Sequence, residues 1–294
     1  MTFSSMPVLV PGRRLGVLAP SGPFERERFD RGVAVLAARY QVEVAPEATG
    51  RHRYLAGEDS ARAASFQRCL DDEGLAAVVA ARGGYGAMRL LPALAIRRPL
   101  TVLGFSDITA LHLAWQARGY RSIHGPVVTQ LGSQPADVVA RTFELLEGRP
   151  VEPLSGTEVV RAGVVEGPLL GGNLSLLASL VGTRWMPSLS GAVLLIEDVG
   201  ERPYRLDRMW THLALAGALD GIVGIVLGEF TDCEEKDATF TAREVLHELV
   251  SALGVPVLAG LPIGHGPVNH PVVLGAKVRL DATAKRLEYI EGLA

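Results

Sequence analysis

The sequence predicts an α/β protein in which a parallel-sheet domain is followed by a second, smaller α/β domain. In the first half of the 294-residue chain, short apolar runs alternate with longer amphipathic stretches. Strands that alternate with helices form βαβ units and a parallel sheet. Runs of small residues come directly after three predicted strands and before helices, where the turns of such units lie: residues 19–23, 82–86 and 104–107.

The predicted elements follow one another in the order that βαβ units require. In the first half we expect strands at 15–19, 42–44, 76–80 and 100–103, and helices at 26–40, 61–70, 87–94 and 108–118. In the second half we expect helices at 173–181, 204–216 and 242–253, and strands at 192–196 and 222–227 and around residues 257, 272 and 277–280. Residues 148–167 lack helical periodicity and carry Gly and Pro, which indicates a connection between domains. We therefore predict an N-terminal domain at 1–150, a linker at 151–165 and a C-terminal domain at 166–294.

Composition and charge exclude several classes of binding partner. Hydrophobic residues make up 48% of the chain and the net charge is −3, a balance that argues against nucleic acid or an anionic membrane surface as the main partner. No apolar stretch reaches the 18 residues of a membrane span. Cys69 and Cys233 are far apart and have no Cys or His cluster beside them, so neither a disulfide nor a zinc site is expected. A cytoplasmic protein that binds a small molecule is the expectation.

Ser106 lies in the turn Gly104-Phe105-Ser106-Asp107, between a predicted strand and a predicted helix. This layout is typical of a nucleophile elbow, which presents a serine Oγ at the sheet edge. The match is partial, because Ile108 stands where the elbow pattern has a small residue. Ser106 could instead be an ordinary helix N-cap, and the pattern leaves both interpretations open.

The turn Arg82-Gly83-Gly84-Tyr85-Gly86 offers backbone N–H groups at the same predicted edge. Such groups can hold an oxyanion or a carboxylate. The glycine spacing matches neither common nucleotide-phosphate motif. A tight turn with no binding role is the alternative interpretation.

Acids and a histidine follow strands in the second half. Glu197 and Asp198 close a predicted strand, and His265 lies between two glycines. A carboxylate at a strand end can orient an imidazole for proton transfer. Either acid could instead pair with a nearby arginine, and His124 is a rival base. The acids and histidines lack metal-ligand spacing, so no metal and no cofactor is expected.

Taken together, these motifs resemble a known family. The motifs that carry the resemblance are residues 17–22, 82–86, 104–109, 124–126, 171–174, 197–201, 203–205, 207–208 and 264–266. In this order, from about residue 14 to 280, they resemble the LD-carboxypeptidases, cytoplasmic serine peptidases that include muramoyltetrapeptide carboxypeptidases and microcin C immunity peptidases. The resemblance implies a two-domain enzyme with a cleft between the domains.

The resemblance also implies the roles of five sites. Ser106 would be the nucleophile, His265 the general base and Glu197 the acid that orients it. The oxyanion hole would be the backbone N–H of Asp107 with one from the Gly83-Gly84 turn. The order Ser, Glu, His divides this triad between the domains.

Within the family, two substrate branches are open. The murein branch releases the terminal D-alanine from a cell-wall tetrapeptide. The microcin branch cleaves a peptidyl nucleotide and carries a long aromatic-bearing loop before the catalytic Glu. Here only residues 182–191, which include Trp185, separate the preceding helix from the Glu197 strand. The short loop favours a murein peptide as the substrate.

A carboxypeptidase must also recognise a free C-terminal carboxylate. Arg82 and Arg205 are the cations nearest in sequence to the predicted site, although Arg205 could instead pair with Glu201 or Asp198. A homodimer is the expected assembly. Two alternatives remain from other classes: a flavodoxin-like or amidotransferase-like protein that binds a small ligand without catalysis, and a metal-dependent amidase.

Overall fold

The first half of the chain forms most of a six-stranded sheet flanked by helices. The computed structural model, which describes residues 3–293, places five strands here: β1 (Arg14–Leu18), β2 (Gln41–Val44), β3 (Ala77–Ala80), β4 (Thr101–Gly104) and β5 (Ser122–His124). The helices are α1 (Arg26–Ala37), α2 (Asp59–Asp71), α3 (Thr109–Gln116), α4 (Val128–Leu131) and α5 (Ala136–Leu146). Short 3₁₀ helices cover Pro46–Thr49, Ala87–Ala93 and Ser106–Ile108.

The strand order indicates where this sheet would bind a ligand. The five strands are parallel and lie in the order β2-β1-β3-β4-β5, which is the flavodoxin-like order. Ligands of such sheets bind outside the carboxyl ends of the strands, at the point where the strand order reverses, here between β1 and β3. The turns at 19–23, 82–86 and 104–107 follow β1, β3 and β4, so all three lie on this edge.

The second half builds a mixed sheet of eight strands. Its strands are β6 (Leu154–Ser155), β7 (Glu158–Arg161), β8 (Val164–Asn173), β9 (Val193–Val199), β10 (Gly224–Thr231), β11 (Val257–Ala259), β13 (Lys277–Asp281) and β14 (Arg286–Tyr289). Its helices are α6 (Leu174–Leu180), α7 (Pro203–Leu215) and α8 (Ala242–Ser251). Neighbours from β8 to β11 run parallel, whereas the outer pairs run antiparallel, in the order β6-β14-β13-β8-β9-β10-β11-β7. No helix within residues 3–293 is long and apolar enough to cross a membrane.

The two sheets are joined through a common core and a returning strand. Helix α3 of the first half packs against β8 and α6 of the second, and the Asn173 backbone N–H donates to Thr109 Oγ1 over 3.0 Å. Leu111 and Leu177 are fully buried in one apolar cluster that draws on both halves. Strand β12 (Val272–Leu274) returns to the first sheet and pairs antiparallel with β5.

The predicted fold class, an α/β protein with a parallel first sheet and a second α/β layer, is confirmed. The stretch at 87–94 differs from its prediction, because Pro92 lacks the N–H that an α-helix needs and the segment forms a 3₁₀ helix. The domain limits stay a prediction. The expected linker at 151–165 contains β6 and β7, which extend the second sheet, and β12 crosses to the first.

Candidate active site

Ser106 occupies a strained turn at the carboxyl edge of the first sheet. Strand β4 ends at Gly104, and Ser106 begins the short 3₁₀ helix that leads into α3. Its φ of +62° lies in the left-handed region, which non-glycine residues seldom adopt. Backbone strain of this kind persists where the surrounding structure enforces it, often at functional sites. The turn leaves the serine side chain partly accessible.

The glycine turn after β3 lies against Ser106. A Cβ added to Gly83 would stand 3.0 Å from Ser106 Cβ and 3.2 Å from Ser106 Oγ, so a larger residue at 83 would press on the hydroxyl. Within residues 3–293, the backbone N–H groups of Gly84 and Asp107 donate to no protein acceptor. Unused N–H groups beside a serine hydroxyl could serve a negatively charged oxygen.

The Asp107 side chain connects neighbouring turns, a role that the sequence motifs did not reveal. Its buried carboxylate accepts hydrogen bonds from Ser21 Oγ at 2.6 Å and from the Ala87 backbone N–H at 2.7 Å. Burial raises the pKa of Asp107, and these hydrogen bonds act in the opposite direction. The carboxylate thereby ties the turns after β1, β3 and β4 together.

Glu197 and His265 form a hydrogen-bonded pair in the second half. His265 Nδ1 lies 2.6 Å from Glu197 Oε2, and the Glu197 side chain is fully buried near the end of β9. Burial raises the pKa of Glu197, whereas the His265 hydrogen bond lowers it. With Nδ1–H donating to the carboxylate, Nε2 is left free to accept a proton.

The Phe105 ring links this pair to the serine turn. Its centroid lies 4.7 Å from that of the His265 imidazole, and Phe105 directly precedes Ser106. The fold therefore brings Ser106, Glu197 and His265 to one place from two sheets. No hydrogen bond joins Ser106 to His265 in the described part of the chain; catalytic hydrogen bonds are often long without substrate.

Asp198 lies on the other face of the second sheet. Neighbouring residues of a strand point to opposite faces, and the Asp198 carboxylate accepts hydrogen bonds from Asn173 Nδ2 at 2.9 Å and Ser175 Oγ at 2.8 Å. Burial raises its pKa, and these bonds lower it. Arg205 lies near this cluster, on α7, and its guanidinium is paired with Glu201. The structure thus distinguishes the two acids, since Glu197 pairs with His265 and Asp198 faces the other side of the sheet. The sequence pattern alone did not distinguish them.

The rival base, His124, is fully buried beneath Phe105. The two rings lie 5.9 Å apart, edge to face, and neither ring nitrogen of His124 has a hydrogen-bond partner within residues 3–293. Burial holds the pKa of His124 well below its ordinary value. A histidine sealed in the core in its neutral form is poorly placed to exchange protons with a substrate.

Arg82 lies at the mouth of a cleft beside the glycine turn. The guanidinium Nη1 donates to the Pro23 carbonyl at 2.5 Å, and no carboxylate of residues 3–293 forms a salt bridge with it. The cleft is lined by Gly22, Pro23, Tyr54, Arg82, Gly84 and Tyr85. Unlike Arg205, this cation is free to meet an anionic group of a ligand.

Glu229 is a further residue of this region, and no motif indicated it. Its partly buried carboxylate lies at the carboxyl end of β10 and packs against Gly266, the residue after His265. Its position is a property of the folded chain, because a single glutamate in a strand has no sequence signature. Within residues 3–293, no group of three His, Cys, Asp or Glu side chains is arranged to hold a metal ion.

The two halves of the chain match the two domains of one known family. Residues 15–125 match the LD-carboxypeptidase N-terminal domain, and residues 166–280 match the LD-carboxypeptidase C-terminal domain. The chain belongs to the LD-carboxypeptidase family.

Relatives of this LD-carboxypeptidase come from both branches. The murein tetrapeptide carboxypeptidase of Pseudomonas aeruginosa is 34% identical, over 93% of this chain and 94% of the relative. The microcin C7 self-immunity protein MccF of Escherichia coli is 28% identical, over 99% and 98%. The crystal structure of muramoyltetrapeptide carboxypeptidase from Oxalobacter formigenes superposes with a TM-score of 0.83 at 28% identity, covering 93% of this chain and 97% of that one.

Proposed function

We propose that this LD-carboxypeptidase is a serine peptidase that releases the terminal D-alanine from a murein tetrapeptide by cleaving an L,D amide bond. Ser106 is the nucleophile, His265 the general base and Glu197 the residue that orients the base. The observation that carries the proposal is the 2.6 Å pair of His265 with a fully buried Glu197, next to the strained turn of Ser106. The name of the Pseudomonas relative supports the choice of substrate.

In the proposed mechanism, Ser106 Oγ attacks the carbonyl carbon of the residue before D-alanine. His265 Nε2 takes the serine proton, and the Glu197 carboxylate stabilises the imidazolium that forms. The backbone N–H of Asp107 and one from the Gly83-Gly84 turn hold the oxyanion. His265 then gives its proton to the leaving amine of D-alanine. In the second step His265 takes a proton from water, the water oxygen attacks the acyl carbon, and the proton returns to Ser106 Oγ as the acyl group leaves.

The loop before Glu197 supports a murein peptide over a peptidyl nucleotide. Only twelve residues, 181–192, separate α6 from β9. Trp185, the aromatic residue of this loop, packs against the core, and the Arg184 guanidinium covers its ring at 4.7 Å. Its ring is therefore engaged and is poorly suited to stack on a nucleobase.

The direct test is to incubate the protein with a murein tetrapeptide and to weigh the products. We expect the loss of one D-alanine, and we expect the activity to persist in chelator because no metal takes part. Ser106→Ala should lower kcat by a factor on the order of 10⁶ with little change in the melting temperature. His265→Ala should lower kcat by a similar factor, and the double variant should be no slower than either single variant. A Ser106→Ala sample that keeps more than a few per cent of activity would contradict the nucleophile assignment.

A cytoplasmic location and a homodimer also remain proposals. Murein peptides taken up for reuse would meet the enzyme in the cytoplasm. Sedimentation of the purified protein would measure the assembly, since a dimer has twice the 31.3 kDa mass of one chain.

A further inference from the structure

The Phe105 side chain lies directly against the proposed general base. Its ring centroid is 4.7 Å from that of the His265 imidazole, and the two ring planes are tilted by 49°. Aromatic pairs in proteins have centroids about 4.5–7 Å apart, so these two rings are closely packed. Phe105 is buried and directly precedes Ser106. One residue therefore contacts the base and leads into the nucleophile turn.

A single hydrogen bond does not fix the orientation of an imidazole. The Glu197 carboxylate holds Nδ1 of His265 at 2.6 Å, which leaves the ring free to turn about that contact and to carry Nε2 away from Ser106. The Phe105 ring limits this rotation, because it packs against the imidazole at a second point. Phe105 is itself supported by the buried ring of His124, which it meets edge to face.

The imidazole becomes positively charged during the proposed reaction, in a place that water reaches poorly. Only 16% of the His265 side chain is exposed. A charge that forms in such a place needs protein groups that replace water. The Glu197 carboxylate does so on the Nδ1 side. The π electrons of an aromatic face stabilise a cation within about 6 Å of the ring centroid, and the Phe105 ring is within that distance.

Other titratable side chains near the imidazole are Glu229 and His124. The Glu229 carboxylate packs against Gly266 and adds negative charge. His124 contacts Phe105 and stays neutral, because burial holds its pKa well below the ordinary value. His124 therefore places no second positive charge beside the imidazolium.

We propose that Phe105 is a positioning residue of the reaction, whose ring orients the His265 imidazole and stabilises the imidazolium that forms in the transition state. This inference rests on the proposed function. The imidazole is neutral when substrate binds and charged in the transition states of both steps, so the ring favours the transition states selectively. Loss of the ring face should therefore lower kcat and leave KM nearly unchanged.

The test varies the electrons of the ring at nearly constant shape. Phe105 is replaced by phenylalanines that carry one, two or three fluorine atoms, which withdraw electron density from the ring face and change its size little. We expect kcat on a murein tetrapeptide to fall with each fluorine, by about tenfold in total for three, while KM changes less than about twofold. A ring that only fills space would give the same kcat in all three proteins.

A second measurement does not depend on the substrate. NMR of the substrate-free protein gives the pH midpoint at which the His265 ring binds a proton. Each fluorine on Phe105 should move this midpoint to lower pH, because a weaker ring face stabilises the imidazolium less. Phe105→Leu, which removes the ring face, should move the midpoint in the same direction and lower kcat by about 10- to 30-fold.

The matched control is Phe66, another buried phenylalanine of the first half of the chain. It lies on α2 and stacks on Trp115, with 5.7 Å between the ring centroids. The same fluorinated residues at position 66 should leave kcat and the His265 midpoint unchanged.

The outcomes separate the two proposals. If fluorination of Phe105 leaves kcat or the midpoint unchanged, or if fluorination of Phe66 has the same effect, the ring does not stabilise the imidazolium and the inference is wrong. If the wild type cleaves no murein tetrapeptide, the proposed function fails, and an unchanged midpoint would separately exclude charge stabilisation by Phe105.

Discussion

At the scale of single residues, Arg82 and Glu229 carry charges that no protein group balances within residues 3–293. Arg82 follows β3 in the first half of the chain, and Glu229 lies on β10 in the second half. Arg205 is different, because Glu201 already neutralises it.

Arg82 and Arg205 therefore give a matched pair of variants. Arg82→Met should raise KM for a peptide with a free C-terminal carboxylate by about 10- to 100-fold, since it removes a charge-assisted contact. It should leave the corresponding peptide amide, already a poor substrate, nearly unchanged. Arg205→Met should change neither KM. Steady-state kinetics on the acid and the amide measure this, and equal losses on both would assign the carboxylate to the backbone N–H groups of the glycine turn.

The sequence could indicate a site residue only where that residue belongs to a motif or lies next to one in the chain. Ser106, Glu197 and His265 lie in recognisable patterns. The choice between Glu197 and Asp198 depends on which face of β9 each side chain occupies. Two adjacent acids in the sequence do not show which of them faces His265. The unpaired state of the Glu229 carboxylate depends on which side chains come near it in the folded protein, and no sequence pattern records this.

At the scale of elements, a hydrogen bond between two turns holds the edge of the first sheet that carries Ser106. Ser21 Oγ donates to the buried Asp107 carboxylate, so the turn after β1 positions the turn that carries Ser106. Ser21→Ala should lower the free energy of unfolding by about 1–3 kcal/mol, because a buried carboxylate loses a donor. It should lower kcat more than it raises KM.

Urea unfolding and steady-state kinetics test this prediction. Ser179→Ala is the control, since its exposed hydroxyl bonds only to Ser175 of its own helix, and we expect a change within about 0.5 kcal/mol. Equal effects of the two alanine variants on stability and kcat would show that the Ser21 bond does not organise the edge.

Elements were predictable where periodicity and turn residues agree, as in β1, α2 and α7. The strands β6 and β7 were not, because their short segments lie among Gly and Pro and gain their hydrogen bonds only from distant strands of the second sheet. The pairing of β12 with β5 depends on the docking of the two halves, which is a property of packing and not of the local sequence.

At the scale of the whole molecule, buried histidines set a limit on stability in acid. His112 is fully buried, donates from Nε2 to the Gly104 carbonyl, and burial lowers its pKa to about 4. In the unfolded chain it would titrate near 6.5. Below pH 6.5 the unfolded state binds more protons than the folded one, so stability falls as pH drops to about 4. This histidine alone accounts for about 3 kcal/mol over that range.

The check is to measure unfolding by urea between pH 7 and pH 4. His112→Gln keeps an N–H donor but cannot titrate, so its stability should fall by about 3 kcal/mol less over this range than that of the wild type. His212→Gln, at an exposed position on α7, controls for the substitution itself. Parallel curves for wild type and His112→Gln would show that other groups govern the acid response.

The crossing of β12 has a consequence for synthesis on the ribosome. Strand β5 lacks its outer partner until residue 274 has been added, about 150 residues later, which takes on the order of ten seconds at ordinary translation rates. During that interval the nascent chain presents an open backbone edge on β5, the strand next to the one that leads into the Ser106 turn. Open edges pair readily with other strands, so chains that stall in this window are the ones most exposed to association with their neighbours on a polysome.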